Sequence, residues 1–179
     1  MSAYVALLRG VNVGGRAKIA MADLRSVLAG LGYGDVRTLL QSGNAVFTAA
    51  AKPAAVAAAV ESALETELGL TTRCLIRTGD ELRAVIAAHP FAEVADNGSR
   101  MVAAFLSELP AAAVRAEHDP VALDPERIRL GDRVIYQWCP DGISEAPLMG
   151  PYVERKWKVV VTARNWNTVT KLADMAGPG

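Results

Sequence analysis

Two short polar clusters hold most of the residues in this sequence that could do chemistry. The first is Arg9-Gly10-Val11-Asn12-Val13-Gly14-Gly15-Arg16-Ala17-Lys18; the second is Gln41-Ser42-Gly43-Asn44. Arginine, lysine, asparagine, glutamine and serine offer hydrogen-bond donors. Glycine permits positive φ and lets a ligand approach the main chain. Backbone amides gathered in such a loop, with Arg9 and Lys18 beside them, suit an anion. Asn12, Gly14 and Gly15 shape the first loop, and Gln41, Ser42 and Asn44 supply polar groups from the second. A third cluster, Arg164-Asn165-Trp166-Asn167-Thr168, sits where a helix is expected to begin. There Asn165 reads as the cap of the free amides. Arg164 and Asn167 are candidate ligand contacts, because a helix start favours an anion. Trp166 opens an apolar stripe and reads as core.

Known catalytic patterns are missing. A phosphate-binding P-loop needs Gly-x-x-x-x-Gly-Lys-Ser/Thr, whereas Gly10 and Gly15 are followed by Arg16. Ser42 does not stand in a Gly-x-Ser-x-Gly elbow. His89 and His118 are the only histidines and lie beside Pro90 and Asp119, near expected helix ends. Cys74 and Cys139 form no Cys-x-x-Cys pair or Cys/His cluster and read as small buried hydrophobes. The pattern calls for no metal and no cofactor, and it leaves open whether any reaction is catalysed.

Composition narrows the partners. Hydrophobic residues are 51% and charged residues 21%, which excludes global disorder. Formal net charge is zero, against the strong basicity usual for a protein that binds nucleic acid through its overall field. The basic residues are nonetheless gathered at the ends. Residues 1–42 hold Arg9, Arg16, Lys18, Arg25 and Arg37 against Asp23 and Asp35. Residues 155–171 hold Arg155, Lys156, Lys158, Arg164 and Lys171 with no acid. No basic leader precedes the first apolar run, and no apolar stretch reaches the roughly 18–20 residues of a membrane helix. A soluble, cytoplasmic, reduced protein is expected, with oligomeric state left open.

The elements that position these clusters follow from periodicity. Residues 4–9 are apolar on both alternating faces, as in a central strand covered on both sides. Met21, Leu24, Val27, Leu28 and Leu31 recur at helical spacing, and Gly30, Gly32 and Gly34 close that helix. Strands are expected at 35–40 and 45–49, joined by the Gln41–Asn44 turn with Gly43 and Asn44 at positive φ. Pro53 opens the next helix, whose buried stripe reads as Val56, Val60, Leu64 and Leu68. Residues 70–77 read as a fourth strand. Thr78-x-x-Glu81 is a capping box for a connecting helix.

The second half reads as a degraded repeat. Strands are expected at 101–106, 127–130, 133–138 and 159–161. Gly131-Asp132 reads as a two-residue hairpin turn. Helices are expected from Pro110 to Glu117, over 152–157 and over 165–175. The class is therefore α+β: two ferredoxin-like (βαββαβ) plait subdomains with a C-terminal helix. The first spans 1–90 with its connecting helix, 91–100 is the linker, and the second spans 101–179.

With these elements placed, the chain resembles the bacterial domain-of-unknown-function family 1697. The resemblance is carried by Tyr4 to Gly15, by Gln41-Ser42-Gly43-Asn44 and by Thr162 to Thr168. Val11 stands where that family often has isoleucine. The resemblance implies two plait-like α+β subdomains and no established activity.

Three functions stay open on these residues. One is a module binding a small anionic or phosphorylated ligand, or less readily single-stranded nucleic acid, at polar loops between two subdomains. Another is a metal-independent enzyme. The third is a structural or interaction protein whose motifs lock the subdomains. RNA-recognition plaits expose aromatics on their central strands, whereas Tyr4 and Phe47 stand here among aliphatics. A small anion is therefore favoured, with Arg9, Lys18 and Arg164 expected at one site. The first-strand loop and the hairpin turn could still fall at opposite ends of a sheet.

Overall fold

The computed structural model describes residues 1–177. They form two compact units, Met1–Arg83 with the segment from Lys171, and Ala84–Thr170. Among the described residues, two four-stranded antiparallel sheets and six α-helices make this an α+β protein. Among the described residues no helix is long and apolar enough to cross a membrane.

The first unit runs β1 (Ser2–Leu8), α1 (Met21–Gly30), β2 (Gly34–Leu39), β3 (Asn44–Ala49), α2 (Pro53–Leu68), β4 (Cys74–Thr78), and the start of α3 (Gly79–Ala87). Its strand order is β2-β3-β1-β4, with Tyr4 opposite Phe47 and Val5 opposite Arg77. One face of β1 and β3 packs Tyr4, Ala6, Leu8, Ala45 and Phe47 into a core with Leu24 and Leu28 of α1 and Val56, Val60 and Leu64 of α2. Val5, Leu7 and Val46, which alternate with them, are buried as well. Both faces of the central strands are covered, as their continuous apolar runs require.

Local signals account for the element ends. Pro53 starts α2, and Gly69 closes it in the left-handed region at φ 63. Leu70 N–H then bonds back to Leu64 O at 3.1 Å. That closure holds residues 70–73 out of the sheet, so β4 begins at Cys74 rather than at 70. Leu68 is 40% exposed and leaves the stripe it was expected to join. Steps of four overshoot a 3.6-residue turn by about 40° each, so the fourth member of the series has rotated off the core. The capping box forms: Thr78 N–H donates to Glu81 Oε2 at 2.7 Å, and Glu81 N–H to Thr78 Oγ1 at 3.1 Å.

The second unit holds β5 (Met101–Leu106), α4 (Ala112–Glu117), β6 (Ile128–Leu130), β7 (Val134–Trp138), α5 (Met149–Trp157), β8 (Val161–Asn165), and the start of α6 (Trp166–Ala176). Its order, β6-β7-β5-β8, repeats that of the first unit. The repeat extends to single bonds. Leu8 N–H meets Gly43 O and Leu106 N–H meets Arg133 O, each at 2.9 Å, at the matching hairpin. Arg77 and Arg164 are both buried near the ends of the matching strands β4 and β8. Each directs Nη1 to the carbonyl of the preceding residue.

Two local expectations change. The last strand covers Val161–Asn165 rather than 159–161, so Arg164 lies within a strand. In the hairpin of β6 and β7 the left-handed residue is Arg133, at φ 51. Gly131 is needed there for space, because a Cβ would lie 2.7 Å from Tyr136 Cε2. Residues 91–100 contain turns, with Ala95 N–H bonded to Phe91 O at 2.8 Å.

Candidate functional site

The two N-terminal polar clusters meet at one end of the first unit's sheet. The register sets this: Leu7 pairs with Asn44, so β1 ends where β3 begins. The turn between β2 and β3 therefore lies beside the loop that leaves β1. Gly43 joins them most tightly. At φ 80 it accepts the Leu8 N–H, and a Cβ on it would lie 2.5 Å from Val11 Cγ2. The other left-handed residue of this turn is Leu40, at φ 58; Asn44 belongs to β3 instead.

Asn12 organises the first loop. Its Nδ2 donates to Ile19 O at 2.9 Å and to Gln41 O at 2.6 Å, while its Oδ1 accepts the Ile19 N–H at 2.9 Å. Between those anchors Val13 and Arg16 bridge across Gly14 and Gly15, which stand at φ 60 and φ 75. Two successive left-handed residues match the tight hairpin turn that favours glycine pairs. A Cβ on either glycine meets nothing within 4 Å, so conformation and not crowding selects glycine there. Asn44 is fully buried and donates to Leu39 O and Ser42 Oγ, both at 2.9 Å. The amides of Asn12 and Asn44 thus hold the loops in place.

An open cleft of about 560 Å3 lies between the loops, lined by Asn12, Gly15, Lys18, Ile19, Gln41 and Leu68 among others. Lys18 and Gln41 are exposed. Among the described residues neither the Lys18 ammonium nor the Gln41 side-chain amide has a hydrogen-bond or ion-pair partner. Asp23, in the first turn of α1, lines the same cleft. α1 begins there without a side-chain cap. Arg9 is exposed at the end of β1; its N–H bonds Arg73 O at 2.9 Å and its carbonyl accepts the Thr72 hydroxyl at 2.7 Å.

Of the residues lining this cleft, the polar clusters of the sequence supply Asn12, Gly15, Lys18 and Gln41, while Asp23, Ile19 and Leu68 lie outside those clusters. In the sequence Asp23 stands only as one of the two acids of residues 1–42. Leu68 reads as core because its spacing continues that of Leu64.

The third cluster belongs to the second unit. Arg164 is buried on β8, with Nη1 donating to Thr162 Oγ1 at 2.7 Å and to Ala163 O at 2.8 Å. Asn165 caps α6, its Oδ1 accepting the Thr168 N–H at 3.0 Å. Asn167 is exposed, and its Oδ1 would lie 2.1 Å from a Cβ placed on Gly98. Trp166 is half-buried rather than core. The apolar stripe closes over only from Val169 onward, and the indole rests 4.2 Å from the His89 ring. His89 Nδ1 accepts the Phe91 N–H at 3.3 Å, and burial lowers its pKa. His118 uses its carbonyl to accept Trp157 Nε1–H at 2.9 Å. Cys74 and Cys139 are both buried, and burial raises the Cys139 thiol pKa. Among the described residues no group of His, Cys, Asp and Glu could hold a metal ion.

No curated protein matches the chain. A solved structure, that of the conserved bacterial protein SP0830 from Streptococcus pneumoniae, is similar over 99% of both chains, with 24% identity and a TM-score of 0.79. At that identity the likeness shows a common fold. The model of a family described as a protein of unknown function, DUF1697, matches residues 1–136, which is most of the chain, and the chain belongs to that family.

Proposed function

We propose that the protein binds a small anionic ligand in the cleft of its first unit. The unpartnered Lys18 ammonium, facing the same space as the Gln41 amide, carries this reading. Gly15 lines the same cleft, and Gly14 and Arg9 belong to the loop that carries it. Asn12, Ser42 and Asn44 act by holding the two loops in register. A lysine offers a point charge with three donors, which suits a carboxylate or a phosphate. Burial of Tyr4 and Phe47, the aromatics of β1 and β3, removes the stacking platform that an RNA-recognition sheet would need, and this supports a small molecule over nucleic acid. A ferredoxin-like plait for each unit, domains divided near residues 91–100 and a cytoplasmic location belong to the same proposal. The first of these is supported by the βαββαβ order and by the shared strand order.

A ligand-dependent melting screen of inorganic phosphate, sugar phosphates, nucleotides, small carboxylates and oligonucleotides tests it. A hit should weaken about ten- to a hundredfold in Lys18→Met, because a charge-assisted hydrogen bond contributes about 1.5–3 kcal/mol. Binding that ignores Lys18, or a hit confined to oligonucleotides, would overturn the proposal.

A further inference from the structure

The cleft holds a second charge that a simple anion would not call for. Asp23 lines it together with Lys18, and the two form no ion pair with each other or with any other described residue. Both are exposed, so neither is trapped by burial. An uncompensated carboxylate in the same open cleft repels a phosphate or a dicarboxylate. Within roughly 8 Å, the screening length at physiological salt, that repulsion acts on any bound anion. A ligand carrying both signs converts it into an attraction. The wall supplies a third requirement: the exposed Leu68 presents apolar surface to the same cleft, with the largely buried Ile19 also in its lining.

Resting on the anion-site reading above, we infer that the cleft of the first unit takes an α-amino acid with an aliphatic side chain. The carboxylate meets the Lys18 ammonium, the α-ammonium meets the Asp23 carboxylate, and the side chain lies toward Leu68 and Ile19. Gln41 can donate to the carboxylate or accept from the ammonium, since an amide does both. Neither charge is selective alone. Together they distinguish a zwitterion from its blocked derivatives.

Calorimetric titration of the full chain with L-leucine, N-acetyl-L-leucine, L-leucinamide and inorganic phosphate tests the inference. L-Leucine should bind, and both blocked forms should bind about tenfold or more weakly, the loss expected for one charge-assisted contact. Lys18→Met should weaken L-leucine and N-acetyl-L-leucine but not L-leucinamide. Asp23→Asn should weaken L-leucine and L-leucinamide but not N-acetyl-L-leucine, and Asp23→Glu should retain most of the L-leucine affinity. Unchanged melting temperatures would exclude unfolding as the cause. Should phosphate or N-acetyl-L-leucine bind as tightly as L-leucine through Lys18, the amino-acid assignment fails and the anion site stands. Should Asp23→Asn leave L-leucine binding intact, Asp23 serves only the α1 dipole and the assignment fails. If no acidic probe binds in a Lys18-dependent way, both readings fail.

Discussion

The Asn12 side-chain amide donates to the main-chain carbonyl of Gln41 at 2.6 Å, across 29 residues of chain. With its paired bonds to the Ile19 main chain, it makes one side chain the clasp between the β1–α1 loop and the turn of β2 and β3. The backbone of Asn12 itself is left-handed, at φ 54. Asparagine tolerates that region better than other non-glycine residues. One residue type therefore answers both the conformational and the hydrogen-bonding need.

Asn12→Ala loses three hydrogen bonds and places alanine in the left-handed region. At about 0.5–1.5 kcal/mol per bond and about 1–2 kcal/mol for the conformation, a destabilisation of about 2.5–6.5 kcal/mol is expected. Asn12→Gly loses the same bonds without the conformational strain and should be about 1 kcal/mol less damaging. Urea unfolding midpoints of the two variants check this. Equal losses would show that strain at residue 12 has no weight.

The glycines of the two loops should differ sharply. Gly43→Ala combines φ 80 with a Cβ only 2.5 Å from Val11 Cγ2 and 2.8 Å from Leu8 Cβ. Overpacking and left-handed strain together predict a loss of about 3 kcal/mol or more. Gly14→Ala meets open space, so strain alone acts, at about 1 kcal/mol. Denaturation curves ranking Gly14→Ala as the worse variant would contradict the geometry of the turn.

Leu40 is a leucine in a place that suits neither its backbone nor its side chain. It stands at φ 58 and is 59% exposed. Leu40→Asn should stabilise the protein by about 0.5–1 kcal/mol, because asparagine accepts the conformation and little packing is lost. A lower unfolding midpoint in that variant would mean that the leucine packs in a way its exposure does not convey.

The parts of this structure legible in the sequence are those governed by near neighbours along the chain. Pro53 opening α2, Thr78 and Glu81 capping α3, and Asn165 capping α6 each follow from residues within one turn. Gly131 and Trp166 depart from their sequence reading because tertiary surroundings decide them, and Leu68 because steps of four carry it around the helix. Leu68 rotates off the core, Gly131 yields space to Tyr136, and Trp166 rests against His89. The site divides the same way. Asn12, Lys18 and Gln41 announce themselves in polar clusters between strands. Asp23 belongs to the cleft only because α1 begins beside the loop, a relation that no local pattern in a helix's first turn conveys.

His89 should make stability depend on pH. Its ring lies 4.2 Å from that of Trp166, and its Nδ1 accepts the Phe91 N–H, which requires that nitrogen to be unprotonated. Burial lowers its pKa below the ordinary 6.5. The unfolded chain therefore takes up the proton at higher pH than the folded one. The contribution of neutral His89 is fully present above the unfolded pKa and is lost as pH falls through the folded value. Urea midpoints measured from about pH 8 to about pH 5 should fall on the acid side. In His89→Gln that part of the slope should disappear, while any contribution of His118 is common to both proteins and cancels. An opposing force is available, because a protonated imidazole would be attracted to the indole face. A histidine titration followed by NMR discriminates between them. If His89 titrates above 6.5 in the folded protein, attraction to Trp166 outweighs burial, and acid should strengthen this part of the fold.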